Sequence, residues 1–408
     1  MKFIHTADLH IDQPFSGIDT KEEGLLRQLR DGNEQLLTNI IDTCLEEDVD
    51  FLLLVGDTFH QHNPSIHTQH LIMTQLERLN KADIPVVLSF GNHDYYTKNR
   101  YWFDWPTNVH VFFDQQVETK TLSLNNGETV AISGFSYTES WIKESKLSDF
   151  PSVNQATTYH IGCYHGELQG KGNYAPFSLT DMPSGYDYWA LGHIHKSQII
   201  SEKPFVVYPG TPQGHHKKEH QVQGVAIVTI TSGQSQVKFK EVSAIKWHQR
   251  ELTLVDKMTK QQLLNEIESD LLSLTDSQPL TVVTMTLTLK DPEFTSYFLG
   301  DKSTLLAFIQ RHIFAVSKER IWLADIKVRL VSSEGFLMGF DESLVDDLSR
   351  KYEEVGEFQR IAKELTQQPG IGAHLSWDAE DIKGLLATSN QLIKDHVIFN
   401  KEDTYEHP

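Results

Sequence analysis

The stretch Ala190–His195, ALGHIH, ends an apolar run with a glycine and then places two histidines one residue apart. If this stretch is the end of a β-strand, the alternation of side chains puts His193 and His195 on the same face. A single pair of histidines with this spacing is a weak signal in a chain with 20 histidines, because exposed loop histidines explain such a pair more often than not. The pair becomes informative only if other strands end in the same manner.

Four further apolar runs end in residues that commonly bind metals. They are HTADLHID (5–12), LLLVGDTFH (52–60), VVLSFGNHD (86–94) and GCYHGEL (162–168). With ALGHIH they supply Asp8, His10, Asp57, His60, Asn92, His93, Asp94, His165, His193 and His195. Open α/β sheets gather ligands beyond the carboxyl ends of their strands, so these side chains are expected to meet at one edge.

The types of these side chains predict a pair of divalent cations. Asp, Asn and His without Cys suit manganese, iron or zinc, and the ligands are too many for a single ion. Two ions about 3.5–4 Å apart, bridged by a carboxylate, are the usual arrangement for displacement at phosphorus. Asp57 is the natural bridge, and the sequence therefore predicts a two-metal centre that cleaves phosphate esters.

Composition limits the class of protein. A length of 408 residues suggests two or three domains. The two cysteines, Cys44 and Cys163, belong to no CxxC motif, which excludes a thiolate metal site and suits a reducing compartment. The first residues, MKFIHTADLH, do not resemble a signal peptide, and no stretch approaches the roughly 20 apolar residues of a membrane span. We therefore expect a cytoplasmic protein that does not enter a membrane.

The net charge of −20 bears on the substrate. Proteins that bind nucleic acid alone usually show a basic surface, and this chain as a whole does not. Three interpretations remain open. The substrate is not a long polyanion, or metals and local basic patches bind it, or a partner protein supplies the basic surface.

Apolar patterning predicts three regions. Up to about residue 240, short apolar runs alternate with helical patterns over 23–47 and 65–82, which is typical of an α/β fold with buried strands. A small α+β segment follows Val242. After Gly335 the chain is acidic and has a helix-loop-helix pattern that pauses at Pro369-Gly370.

The motifs DLH, GDTFH, GNHD, YHG and GHIH, in this order, resemble the calcineurin-like metallophosphoesterase superfamily. Within it, FIHTADLHIDQPFSG (3–17), DYWALGHIH (187–195) and VVYPGTPQG (206–214) are similar to SbcD-type DNA repair exonucleases, most of all to the bacterial YhaO-like branch. The motif-level resemblance covers about residues 1–215.

The resemblance implies an α/β fold of four layers, in which two mixed β-sheets are flanked by helices. It also implies a metallophosphoesterase nuclease domain over 1–245, a small α+β capping domain over 246–335 and a C-terminal helix-loop-helix over 336–408. The later two domains rest on this layout and not on motifs.

The resemblance also implies a role for each site residue. One metal would be bound by Asp8, His10, Asp57 and His195, and the other by Asp57, Asn92, His165 and His193. His93 would lie over the phosphate, and Asp94 would orient His93. His60 matches the histidine that the nuclease branch carries three residues after the bridging aspartate. Manganese is the expected metal, with iron and zinc as alternatives.

The expected activity is that of a metal-dependent DNA exonuclease, with some endonuclease activity, in DNA repair. A phosphodiesterase or phosphatase for a nucleotide or other small ester remains open, as does a regulatory subunit of an ATPase complex. Family members form homodimers through a helix that matches SIHTQHLIMTQLERL (65–79), although its apolar face could lie on its own sheet. The C-terminal helices resemble the segment that binds an SMC-like coiled-coil ATPase, YhaN-like or SbcC-like here. They could equally pack on their own chain.

The sequence allows two roles for each of two further segments. The loop GTPQGHHKKEH (210–220) either contacts substrate phosphates or is solvated, with equal weight. The segment YYTKNRYWFDW (95–105) interleaves cations with aromatic rings. Most of these rings are expected to pack a helix against the core, and stacking on unpaired bases is the alternative. Trp322 and Trp377 are expected to be packing residues.

Overall fold

A computed structural model gives the fold of this chain. It describes residues 1–18, 20–169, 172–221, 224–231, 234–254, 259–274, 280–289, 302–330 and 336–338, together with residues 358, 360, 381–386, 389 and 397–399. Most of the predicted C-terminal helix-loop-helix, including Trp377, lies outside the described residues.

The elements follow the sequence pattern closely up to residue 230. The strands are β1 (Lys2–Thr6), β2 (Phe51–Val55), β3 (Val86–Ser89), β4 (Val109–Val111), β5 (Glu118–Ser123), β6 (Thr129–Gly134), β7 (Tyr159–His165), β8 (Tyr188–Gly192), β9 (Gln198–Glu202), β10 (Phe205–Tyr208), β11 (Val225–Ile230), β12 (Ser235–Lys240), β13 (Ile245–Thr253), β14 (Leu280–Leu289), β15 (Ile321–Leu330), β16 (Phe336–Met338) and β17 (Val397–Phe399). The helices are α1 (Glu23–Glu46), α2 (Ile66–Asn80), α3 (Lys260–Leu272) and α4 (Lys302–Val316).

Two six-stranded mixed sheets form the main body, as predicted. The first has the order β12-β11-β1-β2-β3-β4 and the second β5-β6-β7-β8-β10-β9. In the first, β1 to β4 are parallel and β11 runs antiparallel to β1. In the second, β6, β7, β8 and β10 are parallel, and the edge strands β5 and β9 are antiparallel. The carboxyl ends of the parallel strands within each sheet therefore lie at one edge.

Side-chain alternation builds the layers. In β1, Phe3 lies between the two sheets, where its ring stacks on Phe51 with the centroids 4.8 Å apart. Its neighbour Ile4 faces the other way, into a core that α1 and α2 cover. Because of this period of two and the cover on both sides, the inner strands β1, β2 and β3 of the first sheet are apolar on both faces.

The outer face of the second sheet is covered mainly by irregular structure. It packs on loops and on two 3₁₀ turns, Leu147–Asp149 and Leu179–Asp181, in the part of the chain that the structure describes. Aromatic residues fill this layer, with Tyr164 and Trp189 at its centre. Large rings bury much apolar area without needing a regular element to carry them.

The chain forms two compact units, one of Met1–Arg250, Leu264–Met285 and Leu306–Ile326, and another of Glu251–Leu263, Thr286–Leu305 and Lys327–Pro408. In the first unit, Leu25 of α1, Trp247 and Trp322 share one apolar cluster, which confirms the packing role expected for Trp322. The three-domain division drawn from the sequence stays a prediction. Among the described residues, every helix is too short or too polar to cross a bilayer.

A buried histidine connects the two sheets just beneath the strand ends. His5 of β1 is fully buried, with Nδ1 2.9 Å from the hydroxyl of Tyr188 and Nε2 3.1 Å from the carbonyl of Leu191. Since the carbonyl only accepts, Nε2 carries the proton and the tyrosine hydroxyl donates to Nδ1. Burial lowers the pKa of His5 to about 3, so this connection is neutral at physiological pH.

Candidate metal centre

Most of the predicted ligands lie just beyond the strands, and His165 is the last residue of β7. Strand β1 ends at Thr6, before Asp8 and His10, and β8 ends at Gly192, before His193. The expectation that His193 and His195 extend one strand is therefore wrong, because β8 ends at Gly192. The backbone turns at Asp8, His10, Asp57 and His193, where φ is positive.

Backbone conformation marks the same residues. Asp8, His10, Asp57 and His193 have φ values of 53°, 47°, 52° and 98°, in the left-handed region that L-residues rarely adopt. Such conformations cost of order 1–3 kcal/mol each and concentrate at functional sites. Backbone hydrogen bonds hold them here, from the N–H of Asp8 to the carbonyl of Gly56 (3.1 Å) and from the N–H of His10 to that of Asp57 (3.1 Å).

Two glycines let the strand ends approach closely. A Cβ at Gly56, where φ is 80°, would lie 2.2 Å from Nδ1 of His165. A Cβ at Gly91 would lie 2.2 Å from Oδ1 of Asp57. Both contacts are far shorter than carbon can tolerate, so the glycines of GDTFH and GNHD leave the room that the side chains occupy.

The first group of donors consists of Asp8, His10 and His195, whose ligand atoms all lie within 4.8 Å of one another. The Nε2 atoms of His10 and His195 are 3.2 Å apart. Nδ1 of His195 lies 2.7 Å from the carboxylate of Glu219. The buried Nδ1 of His10 has no hydrogen-bond partner among the described residues. Both imidazoles therefore face the same space with Nε2.

The second group gathers Asp57, Asn92, His165 and His193. Oδ1 of Asn92 is 3.2 Å from Nε2 of His165 and 3.1 Å from Nδ1 of His193. His165 is buried, and its Nδ1 donates to the carbonyl of Val55 (2.9 Å), which fixes Nε2 towards the site. This is the set that the sequence predicted for a second ion.

Asp57 lies between the two groups. Its Oδ2 is 3.9 Å from Nε2 of His10 and 3.5 Å from Nε2 of His165. Its Oδ1 accepts a hydrogen bond from the N–H of His93 (2.9 Å), and only 2% of the residue is exposed. The structure thus places this carboxylate where a bridging ligand would have to be.

Electrostatics reflect the density of ionisable groups. Burial alone would raise the pKa of the Asp57 carboxyl, but the charge and hydrogen bond of His165, together with the charges of His10 and His93, outweigh burial and hold that pKa well below its usual range. Burial also opposes the charged form of His165, and Asp57 raises the pKa of that imidazole to about 9. Burial raises the pKa of Asp8 to about 6 and lowers the pKa of His10 to about 3.

These donors fit a pair of divalent cations. Because His165 donates through Nδ1, its Nε2 faces oxygens of Asn92 and Asp57 either with a second proton, which the raised pKa of the ring favours, or with a lone pair that a cation can bind in place of that proton. Likewise, the two Nε2 atoms of His10 and His195 meet at 3.2 Å. Lone pairs that converge in this way repel one another unless a proton or a cation lies between them. The donor types match manganese, iron or zinc.

The remaining predicted residues lie beside these groups. His60, His93 and His10 form a third cluster whose ligand nitrogens lie within 4.8 Å of one another. The rings of His60 and His93 stack with their centroids 5.1 Å apart. Nδ1 of His93 is 3.3 Å from the carbonyl of His60. His93 is the most exposed member and is free to extend outward.

Asp94 has a different environment from the one expected. Its buried carboxylate accepts backbone hydrogen bonds from Gly91 (2.7 Å), Asp57 (3.2 Å), Thr58 (2.8 Å) and Phe59 (3.3 Å). No hydrogen bond from Asp94 to the His93 ring is present in the described part of the chain. Burial, and then the charge of Asp57, raises the pKa of Asp94 to about 7. Asp94 thus holds two ligand loops together and does not orient His93 directly.

Three side chains that the sequence did not single out support the site. Glu219 contacts His195, Asp12 accepts from the backbone N–H groups of His60 and Gln61, and Arg100 donates to carbonyls of the GNHD loop. The only feature of the sequence that points to these supporting roles is that each side chain is polar and lies near a motif. Their partners are known only from the folded chain.

The segment 95–105 contains no helix, contrary to expectation. Its rings nonetheless pack on the core beneath α1 and α2, as expected for Tyr96, Tyr101, Phe103 and Trp105. Trp102 is the exception, with 73% of its surface exposed.

Comparison with known proteins gives a consistent result. Residues 1–197 match the family model of the calcineurin-like phosphoesterases. The uncharacterized metallophosphoesterase YhaO of Bacillus subtilis is 35% identical over 273 residues, which are 66% of this chain and 67% of YhaO.

More distant relatives are named as DNA repair proteins and nucleases. The DNA double-strand break repair protein Mre11 of Thermoplasma acidophilum is 25% identical over 57% of this chain and 62% of its own length. One component of the nuclease SbcCD from Staphylococcus epidermidis is 23% identical over 57% of this chain and 67% of its own length. The chain thus spans about two thirds of the length of these relatives.

Gly91→Ala tests the close approach at the centre of the site. The new Cβ would displace the Asp57 carboxylate, so we expect Mn²⁺ affinity, measured by isothermal titration calorimetry, to fall at least about tenfold. Gly384→Ala is the matched control, because a Cβ there meets nothing within 4 Å. Equal Mn²⁺ affinity in both variants would show that Asp57 is not part of a metal site.

Proposed function

This chain belongs to the calcineurin-like phosphoesterase family, and we propose that it is a two-metal DNA nuclease, an exonuclease with some endonuclease activity that acts in DNA repair. The observation that carries the proposal is the buried Asp57 carboxylate between two groups of donors. The stacked pair His60 and His93 and the relatives named as nuclease and repair proteins favour DNA as the substrate.

The proposed ligand sets follow the observed groups. Asp8, His10, Asp57 and His195 would bind one ion, and Asp57, Asn92, His165 and His193 the other. We propose manganese as the metal, with iron and zinc as alternatives of similar ligand preference. When bound, such a pair supplies an acidified water and positive charge for the phosphoryl oxygens.

His93 is proposed to act on the leaving group. The backbone N–H of His93 donates to Asp57, and the ring nitrogen Nδ1 faces the carbonyl of His60. The other ring nitrogen, Nε2, is therefore directed away from that carbonyl. With Nδ1 donating to that carbonyl, the imidazolium form of the ring carries its second proton on Nε2, where it can stabilise negative charge on the phosphate or pass to the leaving sugar oxygen. His60 stacks on this ring and keeps its plane fixed. Asp94 acts one step further back, by holding the loop that carries His93.

The nuclease proposal is tested with end-labelled linear duplex DNA and Mn²⁺. Asn92→Ala removes the amide oxygen that contacts both His165 and His193, so we expect metal-dependent degradation to fall at least about 100-fold. Asn126→Ala, in the turn between β5 and β6, is the matched control and should retain activity. EDTA should abolish degradation by the wild-type protein.

A small chromogenic phosphodiester, tested in parallel, separates the alternatives. Hydrolysis of this ester with intact DNA, both alone and with an ATPase partner, would contradict the nuclease proposal and favour a phosphodiesterase for a small substrate. The acidic net charge is the observation that keeps this alternative open.

We also propose that the protein forms a homodimer beside α2. The apolar residues Ile72, Met73 and Leu76 of this helix pack in its own core and cannot form the contact. Ile66 and Trp102 remain exposed, by 50% and 73%. The backbone N–H of Trp102 donates to Gln69 of the helix (2.9 Å), which places the backbone of Trp102 beside the helix that begins at Ile66.

Trp102→Glu is expected to convert the dimer to a monomer, because it places a charge in an apolar contact. Light scattering coupled to size exclusion measures the mass. Trp141→Glu is the control, since Trp141 is also exposed, by 53%, but lies outside α2 and the segment 95–105. A wild-type monomer, or a Trp102→Glu dimer, would refute this interface.

A further partner is proposed to account for the charge. Phosphate contacts dominate DNA affinity, and the chain carries a net charge of −20. We propose that an SMC-like coiled-coil ATPase, YhaN-like or SbcC-like, binds the C-terminal segment over 336–408 and supplies the basic surface. The two cysteines are buried and unpaired, in keeping with the cytoplasmic location that we propose.

Truncation after Gly335 tests this partner. The shortened chain is expected to hydrolyse the small phosphodiester at a rate near that of the full chain, but to lose co-elution with the ATPase. The full chain, mixed with the same ATPase, is the control. Retained co-elution after truncation would place the contact elsewhere, and tight DNA binding by the isolated full chain with a steep salt dependence would remove the need for a partner.

A further inference from the structure

The loop between β10 and β11 contains a largely buried acid, Glu219, which has no role in the proposed mechanism. Oε1 of Glu219 lies 2.7 Å from Nδ1 of His195, and Oε2 accepts a hydrogen bond from the backbone N–H of His215 (2.8 Å). The side chain of Glu219 is only 12% exposed, whereas that of His195 is 38% exposed. The glutamate is therefore the more buried partner of this pair.

This contact determines which nitrogen of His195 carries the proton. A carboxylate only accepts hydrogen bonds, so His195 donates through Nδ1. Its Nε2 then lies 3.2 Å from Nε2 of His10, within the first donor group. Histidines that bind metals commonly donate their other ring nitrogen to a carboxylate, which orients the ring and raises its basicity.

The glutamate is itself held in place. Its backbone N–H donates to the carbonyl of His216 (2.9 Å), and a Cβ at Gly214 would lie 2.5 Å from the carbonyl of Glu219, so the loop is tightly closed. Nε2 of His215 contacts Oδ1 of Asn33 on α1 (3.0 Å). The N–H of Ser16 donates to the carbonyl of His215 (2.9 Å). The carboxylate is thus anchored to the helix and to the segment that follows Asp8 and His10.

These contacts also revise the two interpretations of the loop 210–220. Lys217 and Lys218 are exposed, in keeping with a solvated loop. His215 is buried against Phe15, with ring centroids 5.0 Å apart, and its N–H and carbonyl are both used within the protein. The buried half of the loop therefore faces a metal ligand and not solvent.

We propose that Glu219 is a positioning residue, whose carboxylate fixes the ring and the proton of His195 so that Nε2 is presented to the ion bound by Asp8 and His10. This inference rests on the proposed two-metal function. The proposed role of Glu219 concerns only one of the two ions, because Glu219 contacts a ligand of the first group. In the second group, Nδ1 of His165 contacts the carbonyl of Val55, and Nδ1 of His193 contacts Asn92. Loss of Glu219 should weaken one ion selectively.

The test measures Mn²⁺ binding by the full-length protein, without any turnover. Isothermal titration calorimetry gives the number and affinity of the ions, and electron paramagnetic resonance distinguishes a spin-coupled Mn²⁺ pair from single ions. For Glu219→Ala we expect about 10–100-fold weaker binding of one ion and loss of the coupled signal at Mn²⁺ concentrations that fill both sites of the wild type. The second ion should retain its affinity.

Two further variants separate positioning from a merely structural role. Glu219→Gln keeps one oxygen that can accept from Nδ1 of His195, while its NH₂ group replaces the oxygen that accepts from the N–H of His215. It should therefore recover part of the affinity that Glu219→Ala loses. His216→Ala removes a ring whose Nε2 is 3.6 Å from the same carboxylate but leaves the contact with His195, and should bind both ions like the wild type. Thermal unfolding in EDTA reports whether each variant is folded.

Three outcomes would count against this inference. Wild-type affinity for both ions in Glu219→Ala would overturn it, as would equal weakening of both ions. If Glu219→Ala does not fold, binding of the two ions is measured on Glu219→Gln instead. A Glu219→Gln protein that is folded but has lost one ion completely would show that an accepting oxygen is not what His195 requires. A wild-type protein that binds no Mn²⁺ would overturn the proposed function itself. This failure is distinguishable from failure of the Glu219 proposal, because it is seen in the wild-type protein alone.

Discussion

The position of one carboxylate governs the arrangement of this site. Asp57 is 2% exposed, and its Oδ2 lies between Nε2 of His10 and Nε2 of His165. A buried carboxylate is stable only if charge or hydrogen bonds compensate its lost hydration. Here the N–H of His93 and the ring of His165 provide that compensation. The site therefore requires strands from both sheets, since His10 follows β1 and His165 ends β7.

Three buried or partly buried acids support the site in different ways, and the hydrogen-bond partners of each acid determine its role. Asp57 faces imidazole nitrogens. Asp94 accepts four backbone N–H groups and connects the GDTFH loop to the GNHD loop. Glu219 accepts from one imidazole and one backbone N–H. A carboxylate that is fully used by backbone groups has no capacity left for a ligand, so Asp94 is a support although it lies beside the cluster.

The same supports account for the unusual backbone of the site. The left-handed conformations of Asp8, His10 and Asp57 would be unfavourable in isolation. Backbone hydrogen bonds between the two loops hold them in place, and Arg100 adds contacts from its guanidinium to the carbonyls of Asp94, Tyr95 and Gln61. The result is a set of donors that the protein's own hydrogen bonds hold in position, which is what tight binding of a cation needs.

The sequence by itself determined the layered fold and the donor set. Continuous apolar runs and helical spacing predicted most strands of both sheets together with α1 and α2, because burial on both faces leaves a clear pattern in the sequence. The edge strands β5, β9 and β12 escaped prediction, since half-exposed strands carry a weaker pattern. The site residues were found because each follows an apolar run, and their assignment to two ions came from resemblance.

Only the tertiary structure decided how these residues act. The backbone leaves the strand before Asp8 and His193, the carboxylate of Asp94 turns to backbone amides, and Glu219 reaches His195 across 24 residues of sequence. None of these contacts has a periodic pattern, because each joins a single side chain to a partner on another loop. Hydrophobic periodicity records which face of an element is buried, whereas the partner of a buried polar group is set by where the loops meet.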